Sequence, residues 1–112
     1  MKEYTHKQAA EKKWETLSLM EQMANIGSEA ERAISWRQKG NMEYSKMAAD
    51  RGLKLLDLTI EDERNKKHLP ELLRLKELFV DYFYYDNVFS SDDSFWRKYF
   101  YPFNYAARAS LR

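Results

Sequence analysis

Apolar residues recur along most of the chain at alternating steps of three and four, the spacing of one face of an α-helix. Met20, Met23, Gly27, Ala30 and Ile34 make the first such stripe. Ser18 and Glu21 precede it as a capping-box pair, in which the serine oxygen takes an early amide and the glutamate reaches back to the cap. The spacing predicts one helix from Ser18 to about Lys39 that passes through Gly27. Ser28 and Glu31 would make a second capping box, so a break at Gly27 is the alternative. Gly40 suits the left-handed residue that closes a helix, and Asn41 suits the cap of the next.

A second helix is predicted from about Met42 to Ile60. Ser45, Ala48, Ala49 and Gly52 give it a small-residue side, followed by Leu55, Leu56 and Thr59. Set against Gly27, Ala30 and Ala33, these residues predict a close antiparallel pair. Glu61 to Lys67 is all charge and amide and predicts a solvated connector. Pro70 fits the first turn of a third helix, whose buried side is Leu72, Leu73, Leu75, Phe79 and Phe83. Asp86 to Ser90 reads as a loop, and Ser91 or Asp92 as the cap of a fourth helix carrying Phe95, Trp96, Tyr99, Phe100, Phe103, Ala106 and Ala107. Pro102 predicts a kink or restart near Tyr101, because proline lacks the amide and crowds the preceding turn. Thr5 with Gln8, and Ala10, Trp14 and Leu17, predict a short extra N-terminal helix in a loosely attached segment, 1–17. The expected fold is therefore all-α, a four-helix bundle with up-down connections, as a single domain over residues 1–112.

Composition agrees with the pattern. Valine and isoleucine total five and threonine three, so residues that favour strands are scarce. Absence of cysteine removes disulfides, thiolate metal sites and cysteine nucleophiles, and fits a reducing compartment. The charged stretch from Met1 to Glu15 lacks the apolar centre of a secretory leader. The longest uncharged run, Tyr99 to Ala107, has nine residues, against the roughly 20 that a membrane helix needs. A cytoplasmic protein without membrane contact is the expectation. Nineteen basic and 18 acidic residues give a net charge of +1. Residues 1–56 carry 10 basic and 8 acidic groups and residues 57–112 carry 9 and 10, a balance that does not favour nucleic acid as the partner.

Candidate chemistry is sparse. Glu3 and His6 have the E-x-x-H spacing of helical di-metal sites, but a second copy is missing. Asp86, Asn87, Asp92 and Asp93 lack the alternation of a calcium loop and read as turn and cap residues. No glycine-rich phosphate loop or nucleophile elbow is present. No metal and no cofactor are expected.

The aromatic residues are lopsided. Of 17, 13 lie between Phe79 and Tyr105. At about 100° per residue, Phe79, Tyr82 and Phe83 share one stripe, while Tyr84 and Tyr85 fall about 140° and 240° from Phe79. On the fourth helix Tyr101, Tyr105 and Arg108 lie away from the stripe of Phe95, Trp96, Phe100 and Phe103. Tyrosine and arginine are enriched at contact hot spots. Tyr84, Tyr85, Tyr101, Tyr105 and Arg108 are therefore the expected contact residues of a non-enzymatic interaction protein, which self-associates through its third and fourth helices or takes another protein partner. The same residue types stack on unpaired bases, so a nucleic-acid-binding accessory module is an alternative that the flat charge balance does not favour.

Three resemblances add to this reading. Arg64, Asn65 and His68 resemble the ribonuclease signature of HEPN-type helical bundles, in which a dimer brings arginine–histidine pairs together on a phosphate and a 2′-hydroxyl. The likeness implies an RNA-cleaving alternative with Arg64 and His68 as its pair, although three residues intervene here where that family has four to six. Trp36, Gly40, Tyr44 and Ala48 resemble the hairpin of a tetratricopeptide repeat, which implies antiparallel pairing of the first two helices. Gly27-Ser28-Glu29, Arg32-Ala33, Trp36, Lys39-Gly40-Asn41, Leu55 to Ile60, Asp81-Tyr82-Phe83, Asp86-Asn87 and Tyr99-Phe100 through Phe103 to Ala106-Ala107-Arg108 are similar to a group of small all-helical bacterial proteins. That similarity implies a bacterial origin and no particular activity.

Overall fold

The computed structural model describes residues 12–109. Four long helices carry the fold: α1 over Leu19–Gln38, α2 over Met42–Glu61, α3 over Leu69–Tyr84 and α4 over Asp93–Ala109. No strand occurs among the described residues. The chain is an all-α bundle, as its periodicity predicts. Each helix runs antiparallel to its neighbours in sequence. Ser45 of α2 meets Ala33 of α1, Asp57 of α2 meets Lys76 of α3, and Tyr82 near the end of α3 meets Asp93 at the start of α4.

Local signals set the ends of these helices. Ser18 and Glu21 form the full capping box, with the Glu21 amide donating to Ser18 Oγ at 3.2 Å and the Ser18 amide to Glu21 Oε1 at 3.1 Å. α1 ends in a Schellman pattern: the Asn41 amide reaches the Trp36 carbonyl, the Gly40 amide reaches that of Arg37, and Gly40 has φ +81°. Asn41 then caps α2 by accepting from the Tyr44 amide at 2.9 Å. Asp92 caps α4 through the Phe95 amide at 2.7 Å. Gly27 does not break α1, because the Ser28 hydroxyl donates to the Ala24 carbonyl one turn back and does not act as a cap. α4 continues through Pro102 without a restart. The proline lies on the exposed side of the helix, where the carbonyl it leaves unpaired can be solvated.

The predicted contact of small residues forms around Ala33, and not along its whole length. Ala33, Ala48 and Ala49 make a small buried cluster covered by Phe83 and Tyr84, and Ser45 Oγ donates to the Ala33 carbonyl at 2.7 Å. Gly52 admits Phe79, whose ring would lie 3.1 Å from an added Cβ. Gly27 instead faces α4, where an added Cβ would lie 2.8 Å from Phe100. The principal core joins Ile26, Ala30 and Ile34 of α1, Leu56 of α2, Leu72, Leu75 and Phe79 of α3, and Trp96 and Phe100 of α4. Trp96 sits at its centre, with ring centroids at 5.8 Å from Phe79, 5.9 Å from Phe83 and 6.1 Å from Phe100.

The solvated connector is not what forms after α2. Glu63–His68 makes a 3-10 helix, and Asp62 and Asn65 are buried. Their polar groups join a closed network. The Gln22 amide donates to Asp62 at 2.9 Å and to the Trp14 carbonyl at 3.0 Å, Asn65 donates to Gln22 at 2.8 Å, and Trp14 Nε1 donates to Thr59 at 3.0 Å. Residues 12–14 are helical. Trp14 is buried, so this part of the N-terminal segment is anchored rather than loosely attached. Glu3, Thr5, His6, Gln8 and Ala10 lie outside the described residues.

Candidate functional site

The aromatic half of the chain folds into the α3–α4 side of the bundle, and the joint between those helices is built around Asp81. This residue is buried near the end of α3. Its carboxylate accepts from the Val88 amide at 2.7 Å and from the Phe89 amide at 3.1 Å, and its carbonyl accepts from the amides of Tyr85 and Asn87. Asn87 closes the rest of the loop, accepting from the Ser91 amide at 3.0 Å and donating to the Ser91 carbonyl at 2.8 Å. It holds φ +54°, a left-handed conformation that asparagine tolerates. A loop tied at so many points presents its side chains in fixed directions. Those directions are outward: Val88 is 76% and Tyr85 73% exposed. Phe89 is also exposed and carries the Arg74 guanidinium 4.7 Å from its ring centroid.

A second anchor holds the start of α4. Asp93 accepts from Arg37 at 3.0 Å, from Gln38 at 3.1 Å, and from the Tyr82 hydroxyl. Burial opposes its charge, but these donors outweigh burial and keep the carboxyl below its ordinary range. Burial, with Asp93 alongside, pushes the Tyr82 hydroxyl up to about 12. Arg37 also lies over the Tyr82 ring at 4.6 Å.

The five expected contact residues separate into three places. Tyr84 turns inward. Its ring covers the small alanine cluster and its hydroxyl donates to Asp50 at 2.7 Å. Burial, then that carboxylate, raises its pKa. Tyr84 thus joins α3 to α2. Tyr85 belongs to the apolar loop. Tyr101 and Tyr105, 68% and 67% exposed, form with exposed Arg108 a stripe along the outside of α4. Asp93 bonds to Tyr82, one turn before Tyr85, whereas Tyr105 lies about 18 Å further along α4. Tyr85 and the stripe are therefore two surfaces. Val88 and Phe89 belong to the first and were not among the expected residues; an apolar pair inside an otherwise polar loop was the available signal.

Arg64 and His68 do not meet in a shared polar contact. The Arg64 guanidinium donates to both oxygens of Asp62, at 3.1 and 2.7 Å, and to the Leu17 carbonyl at 2.8 Å. His68 borders a small cavity beside Glu71, Leu72 and Tyr99. A larger cleft of about 670 Å³ lies against α2, where Arg51 pairs with Glu29 and Asp57 with Lys76. Among the described residues no group of three or more acidic or histidine side chains could hold a metal ion. No helix among them is long and apolar enough to cross a membrane.

The chain matches no family model, and no curated protein or solved structure is significantly similar to it.

Proposed function

We propose that this chain is a non-enzymatic helical interaction protein that self-associates through the α3–α4 side of its bundle, with the loop of Tyr85, Val88 and Phe89 as the contact. The observation that carries this reading is the Asp81 clamp. Apolar side chains on a pre-ordered loop are covered without the further cost of ordering its backbone, which favours association. Leu73 and Phe95 are also exposed on these two helices. The Arg74 guanidinium beside this loop is paired with Glu77 at 3.2 Å and so brings no unpaired cation to the contact. A two-fold contact would set this loop against its own copy. Light scattering over a concentration series tests the proposal. The mass should rise from the 13.5 kDa of one chain toward twice that value, and a mass fixed at one chain throughout would overturn it.

A further inference from the structure

The near-neutral total charge conceals a local excess. Residues 94–112 contain Arg97, Lys98, Arg108 and Arg112 and no acidic residue, while the remainder of the chain carries 15 basic and 18 acidic groups. Arg97 is spent on Glu31, to which it donates at 2.9 and 3.1 Å across the α1–α4 groove. Lys98 and Arg108 are exposed and form no ion pair among the described residues. Between them stand Tyr101 and Tyr105. The four positions fall at steps of three, four and three, so they form one stripe about 15 Å long on the outer side of α4.

We infer that the stripe Lys98–Tyr101–Tyr105–Arg108 is a binding surface for single-stranded nucleic acid, separate from the self-association loop. Charge decides against a second copy as occupant, since a two-fold contact of this stripe with itself would oppose cations to cations. An anionic partner is required. Two rings one helical turn apart, with cations at both ends, can stack unpaired bases while the flanking phosphates meet Lys98 and Arg108. An acidic protein helix would satisfy the cations but leave both exposed ring faces without planar partners. With only two unpaired cations in the stripe, binding depends on stacking as much as on charge, which favours single strands over a duplex whose bases are already stacked.

Fluorescence anisotropy of labelled oligo(dT) and oligo(U), with duplex DNA as a parallel arm, tests this on the full chain. Both single strands should bind more tightly than the duplex. Lys98 and Arg108 together should give log affinity a slope against log salt of about −1.4 between about 50 and 200 mM. The Tyr101→Ala and Tyr105→Ala variants should each lose at least about fivefold in affinity with the salt slope unchanged. The Lys98→Gln/Arg108→Gln double variant should flatten the slope. All four side chains are exposed, so helical circular dichroism should match the wild type. The inference is overturned by absence of single-strand binding at about 50 mM salt, or by tyrosine variants that bind as the wild type does. Displacement of the oligonucleotide by poly-glutamate at equal charge would also overturn it and assign the stripe to an acidic protein.

Discussion

Asp62 is the residue through which acid should act on this fold. Hydrogen bonds from Arg64 are the largest influence on it and outweigh burial, and with help from Gln22 they lower its pKa from 3.8 to about 2. A carboxyl depressed on folding stabilises the folded chain fully above its unfolded value and loses that contribution as pH falls from 3.8 toward 2. Asp62→Asn should therefore be less stable than the wild type at neutral pH, and denaturant titrations should show the gap closing as pH approaches 2. A gap independent of pH would contradict this role. Gly27 is a steric case. A methyl group there meets Phe100 Cβ and Cγ at 2.8 Å, so Gly27→Ala should cost about 1–3 kcal/mol in stability and lower the melting temperature. Caps and turns at this scale were legible in the sequence because their partners are neighbours: Ser18 with Glu21, Asn41 with Tyr44, Asp92 with Phe95. Tyr84 was not, because Asp50 lies 34 positions away, and Asn65 was not, because Gln22 lies 43 away. Angles around a single helix cannot reveal such partners.

Among the elements, α4 contains the clearest compromise. Pro102 removes the amide that would pair with the Lys98 carbonyl, yet Trp96, Phe100 and Phe103 on the inner side keep the helix packed. Replacing it should relieve most of a penalty of up to about 3 kcal/mol, so Pro102→Ala should raise the thermal midpoint. An unchanged or lower midpoint would show that the proline is already accommodated without cost. The helices could be read from hydrophobic spacing because each buries one stripe, and their antiparallel order from the shortness of the connections. The segment after α2 misled because its residues are all polar, and polar composition does not distinguish a solvated connector from a 3-10 turn whose side chains bond inward. Asp86 to Ser90 reads as a loop from the sequence and the observed loop spans residues 85–92, but its rigidity depends on Asp81, a carboxylate to which no sequence pattern gives a role. Direction is the missing quantity in both cases.

At the scale of the whole molecule, the aromatic residues serve two purposes. Trp96, Phe79, Phe83 and Phe100 fill the core, while Tyr85 and Phe89 are exposed on a clamped apolar loop and Tyr101 and Tyr105 on a basic stripe of α4. The loop is near the start of α4 and the stripe runs toward its end, so a dimer formed through the loop would leave both stripes open. Val88 is the position at which this account can be tested with least disturbance to the fold, because its side chain is exposed and its amide, bonded to Asp81, is unchanged by substitution. A carboxylate placed there would have to be buried without a partner on association, which should weaken the contact by at least about thirtyfold, or about 2 kcal/mol. The direct measurement is sedimentation equilibrium of the wild type beside Val88→Asp, with thermal melts confirming that both are folded. A reversible dimer is expected for the wild type and a monomer for the variant over the same concentrations; a wild-type monomer, or a variant that dimerises with undiminished affinity, would contradict self-association through this loop.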